Sequence, residues 1–360
     1  MRQIKIFFLS IFTLLIIISC KKNNKQLFNE TIIIDIKSEL VKNASEIFKD
    51  VKFIQLKTDD NNFIGEITSL KTFENILVIF DEMQETLFLF DMNGNLLNTI
   101  KNIGRGPGEY LSISDHNIID NHLYILTNRA NIDKYTLQGE FVERIGTSNN
   151  FIDQFQIDND KYVTLSKLDD AEKRIFIFDN EMNFLDKQLP YKDKNVPLFN
   201  FWPELAMTKN KNKIYFYLPE YYGIYNFSDN NIIPKYKYNF KGLSVNLEKL
   251  SSNDINSKTL PVIRGTFINN NHLITQFTYE NIIYQHIYSL VSQKAKLYNV
   301  FEINNDINSL PILWSVFYGS SENYLYSVIP YDLFEDIEND IIFTEENDNP
   351  VIGVFTIKQL

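Results

Sequence analysis

One seven-residue segment combines residue types whose spacing could support chemistry. It consists of Gly104, Arg105, Gly106, Pro107, Gly108, Glu109 and Tyr110. Glycine tolerates positive φ and close backbone approach, whereas proline fixes φ near about −65°. The segment therefore predicts a shaped loop that presents two opposite charges, Arg105 and Glu109, beside the aromatic Tyr110.

Three roles for this loop follow from its residue types. Phosphate binding would need a helix directly after the glycines, and Ser112–Asn121 has no convincing helical pattern. A structural role, with Arg105 and Glu109 bonded to each other or to neighbouring repeats, is the favoured interpretation, and ligand contact is the alternative. In a structural loop, we expect a β-branched side chain at Gly106 to strain the backbone. We expect loss of either charge to matter little if it is exposed and much if it is buried.

The histidines do not have the spacing of a catalytic or metal site. They are His116, His122, His272 and His286, without an HxH or HExxH pattern, and the chain has no Gly-x-Ser-x-Gly sequence. The sequence therefore predicts neither a metal site nor a cofactor. His122 and His272 follow Asn- or Asp-rich turns, so we expect both at strand starts.

A repeating pattern of strands surrounds the loop. Apolar strands alternate with Asn- and Asp-rich turns, and one unit recurs, a strand that ends on an aromatic residue before a turn. The recurring aromatic residues are Phe90, Tyr135, Phe178, Tyr225 and Tyr288. Most are about 45 residues apart, which is the length of a four-stranded β-propeller blade. The pattern predicts an all-β fold, a six-bladed β-propeller of four-stranded antiparallel blades.

Two irregular segments and one strand lie outside the regular repeats. A polar insertion near residues 241–258 lengthens the fourth repeat, and seven blades are the alternative if it hides a degenerate blade. An acidic segment, residues 332–349, interrupts the sixth repeat, which is left one strand short. The early strand Val51–Lys57 alternates apolar and polar residues. We expect it to close the ring by pairing with the C-terminal strand, because a closed ring has no free sheet edge.

The N-terminus predicts export and lipid anchoring. Residues 1–19 have the pattern of a signal peptide, with basic residues, an apolar run and a small residue before Cys20. The end of this segment, Ile17-Ile18-Ser19-Cys20, resembles the lipobox of bacterial lipoproteins. That resemblance implies acylation of Cys20 as the first mature residue; a cleaved signal with an incidental cysteine is the alternative. Residues 20–45 are then a lipidated tether and short lead-in, and residues 46–360 the propeller.

Charge and cysteine content exclude some functions. The formal net charge is −11, from 35 basic and 46 acidic residues, which argues against nucleic-acid binding. With Cys20 as the single cysteine, the chain has no intrachain disulfide.

A family resemblance rests on several of these segments. The segment Gly104–Tyr110 resembles the signature of six-bladed β-propeller lipoproteins of Gram-negative bacteria. Three further segments resemble that family: Phe90–Gly94, which precedes the loop, Phe53–Leu56 and Asn349–Ile352. Residues 234–240 are similar to a family segment that usually has Asp where Asn239 stands, so a carboxylate is missing there. The resemblance covers residues 46–360. It implies a propeller in the cell envelope, on the periplasmic face or the outer-membrane surface, and it assigns no activity.

Two functions remain open from the sequence. The first is a non-catalytic lipoprotein, anchored through lipid on Cys20, that binds a small molecule, a glycan or an envelope protein. The second is an envelope lyase or hydrolase with its site at the axial mouth, built from several blades without a local motif. Trp202 and Trp314, near the openings of two repeats, are candidate aromatics of that mouth, with core packing as the alternative. A cluster of His, Arg and carboxylates would favour the enzyme, and an apolar rim would favour binding.

Overall fold

The computed structural model describes residues 28–59, 62–166, 173–190, 206–218, 222–243, 260–307, 316–330 and 349–360. One short 3-10 turn spans Ala44–Glu46. In chain order, the strands are β1 (Glu30–Ile34), β2 (Phe48–Gln55), β3 (Ile67–Phe73), β4 (Ile76–Asp81), β5 (Thr86–Asp91), β6 (Leu96–Ile100), β7 (Ile113–Ile119), β8 (His122–Thr127), β9 (Asn131–Thr136), β10 (Phe141–Thr147), β11 (Gln154–Asp158), β12 (Lys161–Leu165), β13 (Lys173–Phe178), β14 (Phe184–Pro190), β15 (Met207–Asn210), β16 (Lys213–Leu218), β17 (Gly223–Ser228), β18 (Asn231–Phe240), β19 (Val262–Ile268), β20 (His272–Tyr279), β21 (Ile282–Ser289), β22 (Ala295–Asn299), β23 (Phe317–Ser320), β24 (Tyr324–Ile329) and β25 (Val351–Ile357).

These strands form six sheets arranged as the blades of a propeller. Blades 1 to 5 take their strands in chain order, β3–β6, β7–β10, β11–β14, β15–β18 and β19–β22, and blade 6 has the order β23-β24-β25-β2. The first strands of neighbouring blades contact one another and so surround the axis. The predicted all-β, six-bladed propeller with four-stranded antiparallel blades is therefore confirmed, and six blades rather than seven account for the described strands.

The ring closes through the two ends of the chain, as predicted. Strand β2 pairs antiparallel with β25, from Phe48 opposite Ile357 to Gln55 opposite Val351. The observed strand, Phe48–Gln55, begins before the predicted start at Val51 and ends before the predicted end at Lys57. Lys57 instead forms an isolated β-bridge with blade 1. Blade 6 is thus completed by a strand from the opposite end of the chain.

The recurring turn between the third and fourth strands has a local cause. Asp91 Oδ1 accepts hydrogen bonds from the backbone N–H groups of Asn93 and Asn95, at 2.8 and 2.9 Å. Asp179 repeats this arrangement in blade 3. Hydrogen bonds from the amide of Asn95 lower the pKa of Asp91. Such Asp-centred turns set the last hairpins of blades 1 and 3, which is why this part of the repeat is visible in the sequence.

Strand β1 adds a fifth strand to blade 4. It pairs parallel with β18, from Glu30 opposite Tyr236 to Ile34 opposite Phe240, and buries Ile32 and Ile34. The sequence indicated a β-prone run here but not its partner. The chain then crosses the outer edge of blade 5 as residues 35–46, which we call the strap. The weak helical pattern of this region appears only as the single 3-10 turn.

Candidate functional site

The predicted loop belongs to one face of the propeller. In each antiparallel blade, the turn between the second and third strands and the connection to the next blade lie at the same end of the sheet. For blades 1 and 2 these are residues 82–85, 101–112, 128–130 and 148–153, with the described residues of the segment 56–66 leading into blade 1. We call these five segments the loop face.

Hydrogen bonds join the segments of the loop face. Gln84 Nε2 donates to Phe63 O at 2.7 Å, within blade 1 and its entry segment. Leu111 N donates to Asn128 Oδ1 at 2.9 Å. Ile152 N donates to the carbonyl of residue 129 at 2.8 Å. The face is therefore continuous from blade 1 to blade 3.

Tyr110 fixes the predicted loop to blade 1. Its side chain is fully buried, and its hydroxyl lies 3.1 Å from the carbonyl oxygens of both Glu85 and Ile100. The hydroxyl also accepts a hydrogen bond from Asn102 N at 3.3 Å. Burial raises the pKa of Tyr110 to about 12, so the hydroxyl remains a donor at physiological pH.

Gly108, rather than Gly106, is the conformationally demanding glycine of the loop. Its φ is +72°, whereas Gly106 lies outside the left-handed region. A Cβ added at Gly108 would lie 2.5 Å from Cγ of Phe141 in blade 2. Tyr135 Oη donates to Gly108 O at 2.9 Å, which holds the loop against that ring. The expectation of strain at Gly106 is therefore wrong, because the close packing occurs two residues later.

The two charged residues of the loop are solvent-exposed. Glu109 accepts a hydrogen bond from Gly106 N at 2.7 Å and so closes the loop on itself. Within the described residues, no ion pair joins Arg105 to Glu109. The segment after the loop is strand β7 rather than a helix, so the loop has no helix N-terminus for a phosphate.

Replacement of Tyr110 by phenylalanine is expected to destabilise the fold by about 1–3 kcal/mol. The change keeps the ring but leaves the carbonyl oxygens of Glu85 and Ile100 without this donor. Urea unfolding of the two proteins measures the difference. Tyr324→Phe is the matched control, because Tyr324 is 40% exposed. An equal effect of both substitutions would contradict the assigned role of the Tyr110 hydroxyl.

The loop face also exposes large apolar side chains. They are Phe63, Met83, Ile103, Leu111 and Phe151, each between 50% and 71% exposed. The guanidinium of Arg129 lies 5.6 Å from the centre of the Phe151 ring and forms an ion pair with Asp153. We call the five apolar residues the apolar patch. The sequence analysis did not predict this patch. Large apolar residues in the connections between strands could have indicated it.

Polar side chains near the axis bind to neighbouring blades. Lys71 Nζ lies 2.5 Å from Asp115 Oδ1 and 2.5 Å from His116 O, which joins blades 1 and 2. Asp115 Oδ2 accepts from Phe155 N at 2.9 Å, and Asn117 Nδ2 donates to Phe155 O at 2.8 Å. These bonds tie blade 2 to blade 3. Lys71, Asp115 and Asn117 are thus engaged in contacts between blades.

The same kind of contact continues around the ring. Lys209 Nζ donates to Ile157 O at 2.6 Å, between blades 4 and 3. Gln276 exchanges two hydrogen bonds with the backbone of Phe317, at 3.0 and 2.7 Å, between blades 5 and 6. The innermost strands are therefore joined by side chain–backbone bonds that fix the blades relative to one another.

The four histidines lie in four different strands. His122 and His272 start β8 and β20, as expected from their turns. His116 and His286 lie inside β7 and β21, and burial lowers the pKa of both. In the part of the chain that the structure describes, no three His, Cys, Asp or Glu side chains are grouped to hold a metal ion.

Several predicted features lie outside the described residues. They are Cys20, Trp202, Trp314 and most of the segments 241–258 and 332–349. Asn349, at the end of the acidic segment, is described and buried. It donates to Thr58 Oγ1 at 2.7 Å and accepts from Ile64 N at 3.2 Å, which joins blade 6 to the entry of blade 1. No helix among the described residues is long and apolar enough to cross a membrane.

Solved structures with a similar fold include two from Bacteroides species. A Bacteroides fragilis protein predicted to be exported matches with a TM-score of 0.76 and 17% identity, over 91% of this chain and 100% of its own. A member of the DUF4221 family from Bacteroides vulgatus matches with a TM-score of 0.54 and 10% identity, over 87% of this chain and 97% of its own. At these identities, the similarity shows the fold alone.

Sequence comparison identifies the family. No protein of curated function matches the chain. A family described as a domain of unknown function, DUF4934, matches residues 31–356, from β1 into β25. The match covers almost the whole propeller, and the chain belongs to the DUF4934 family.

Proposed function

We propose that the protein is a lipid-anchored envelope protein that binds another envelope protein through its loop face, without catalysis. The observation that carries this proposal is the apolar patch, five large side chains exposed on one continuous face. Several large apolar side chains exposed on one face are typical of protein-binding sites. Phenylalanine and methionine are among the residues enriched at the centres of such sites.

The rigidity of the loop face supports a binding role. Three side chains fix its segments through hydrogen bonds with the backbone: Tyr110, Asn128 and Asp81. The carboxylate of Asp81 accepts two of these bonds, from the N–H groups of Gly65 and Gln84 at 2.6 and 3.1 Å. A surface that is already ordered loses little conformational entropy when a partner binds.

The patch favours a protein over the other ligands that the sequence left open. Its side chains offer apolar area and no hydrogen-bonding groups, whereas glycans need many hydrogen-bonding partners. The catalytic alternative, a lyase or hydrolase at the axial mouth, requires free ionisable groups there. Two described axial groups, Lys71 and Asp115, are instead engaged between blades.

The proposed lipid anchor would locate this function in the cell envelope. The lipobox-like end of the signal segment and the exported Bacteroides fragilis relative of the same fold both support this location. The likeness of Gly104–Tyr110 to the motif of propeller lipoproteins is further support. Several acyl chains on one cysteine give stable anchoring, which a single chain does not.

Site-specific photo-crosslinking in the native host tests the binding role. A photoreactive residue at position 63 or 151 is expected to give the same discrete protein adduct, and Met83→Ser should reduce it. Position 291 is the matched control, because Val291 is 78% exposed in the turn between β21 and β22, a turn of the opposite face. Equal adducts at all three positions, or adducts only between two copies of this chain, would overturn the proposal.

A Cys20→Ala variant tests the anchor. We expect the native protein to partition into detergent and to carry a mass increase of acyl size at its first mature residue. The variant should remain unprocessed or become soluble, because the acylated sulfur is lost. Phase partitioning and mass spectrometry measure both properties. A fully soluble native protein without that mass increase would contradict lipidation.

A further inference from the structure

A second candidate site lies between the outer edges of blades 4 and 5. Blades fan out from the axis, so the gap between neighbouring blades is widest at the rim. Here the strap bridges this gap and leaves a cleft of about 440 Å³. This volume is in the range of about 300–1,000 Å³ that small-molecule sites occupy.

The strap is fixed at both ends of the cleft. On the blade 4 side, Lys241 N donates to Ile34 O at 2.9 Å, and Lys241 Nζ lies 2.8 Å from Asp35 Oδ2. On the blade 5 side, Val41 N donates to Leu297 O at 2.9 Å. Because the bridging residues are tied at each end, the cleft is part of the folded structure.

One buried polar group at the cleft has no partner. His286 lines the cleft and is 2% exposed, and its Nδ1 makes no hydrogen bond with any described residue. Burial lowers the pKa of His286 to about 4, so the ring is neutral at physiological pH and has one nitrogen that accepts. An unsatisfied buried polar atom is costly, and a ligand hydroxyl would satisfy it in either tautomer of the ring, because a hydroxyl both donates and accepts.

Among the side chains that line the cleft, Glu39 is the one charged group outside an ion pair, and the exposed Lys37, two residues away in the strap, does not line it. Lys42 pairs with Glu302 at 3.1 Å, and Lys296 pairs with Glu46 at 3.5 Å, so both cations at the rim are neutralised. Glu39 also lines the cleft and is exposed, and within the described residues it forms no ion pair. Leu40, Val41 and Leu297 supply apolar walls.

We propose that this cleft binds a small amine-bearing molecule with an apolar body. Its ammonium group lies near Glu39, its body contacts the apolar walls, and a hydroxyl or N–H donor reaches His286. This site is separate from the loop face, and its ligand is a different class of molecule from the proposed protein partner.

Three related probes test each part of this proposal. Tyramine has a phenolic hydroxyl, an aromatic ring and an amine. Phenethylamine lacks the hydroxyl, and 4-ethylphenol lacks the amine. Titrations use the mature chain in detergent with ring-labelled histidine, and His116, His122 and His272 serve as internal references. Tyramine is expected to shift the His286 signals alone. Loss of the phenol should weaken binding about 2- to 10-fold, and loss of the amine about 2- to 5-fold.

A Glu39→Gln variant separates the site from non-specific binding. Glu39 is exposed, so this change should leave the fold intact and remove the preference for tyramine over 4-ethylphenol. Glu140→Gln, at an exposed position in blade 2, is the matched control and should keep that preference. Unshifted His286 signals, equal shifts at all histidines, or equal effects of the two variants would overturn the proposal.

Discussion

Replacement of Gly108 by valine is expected to destabilise the propeller by about 2–6 kcal/mol, from backbone strain and overpacking together. The residue has a φ of +72°, which a β-branched side chain tolerates poorly. The added Cβ would lie 2.5 Å from Cγ and 2.6 Å from Cβ of Phe141. The loop cannot move away cheaply, because the Tyr135 hydroxyl holds Gly108 O at 2.9 Å. Urea unfolding, with equal m-values for both proteins, measures the loss.

Gly106→Val is the matched control for this prediction. Gly106 lies two residues away in the same loop, but its Cβ would meet only the carboxylate end of Glu109, at 3.1 Å. That side chain is exposed, so its displacement loses only its exposed hydrogen bond with Gly106 N, and we expect a cost of about 0.5–1.5 kcal/mol. A larger loss at position 106 than at position 108 would contradict the assignment of the strained position.

The parts of the fold that were predictable from sequence have local causes. Asp91 and Asp179 organise their turns through hydrogen bonds over two to four residues, so the pattern repeats along the sequence. The sixth repeat lacked one strand, and the strand near Val51 belonged to no repeat. We predicted that the two pair, because an open ring would leave two free sheet edges. This reasoning predicted the pairing of β2 with β25 but not its bounds.

The parts that were missed depend on contacts between distant segments. The parallel pairing of β1 with β18 joins residues about 200 positions apart, and nothing in the short run Glu30–Ile34 specifies that partner. The distinction between Gly106 and Gly108 depends on Phe141, which lies in the next blade. The cleft at His286 exists only because the strap crosses blade 5, so no motif in the sequence could indicate it.

Removal of residues 21–57 from the mature chain is expected to abolish cooperative unfolding. This truncation deletes β2, which buries Phe48, Val51 and Ile54 against blade 6 and covers the edge of β25. Burial of each such side chain contributes about 1.5–3 kcal/mol. Three of them account for much of the total stability of about 5–15 kcal/mol that is typical of a domain. Thermal unfolding followed by near-ultraviolet circular dichroism detects the loss of the transition.

A shorter truncation separates ring closure from the added strand. Removal of residues 21–36 deletes β1 but keeps β2, so blade 6 remains complete and the ring closed. We expect this variant to unfold cooperatively at a lower temperature, because it loses the buried side chains of Ile32 and Ile34. A synthetic peptide of residues 37–58, added to the longer truncation, should restore the transition, whereas a scrambled peptide should not. Equal melting temperatures for the two truncations would show that β2 does not close the ring, since only one of them lacks that strand.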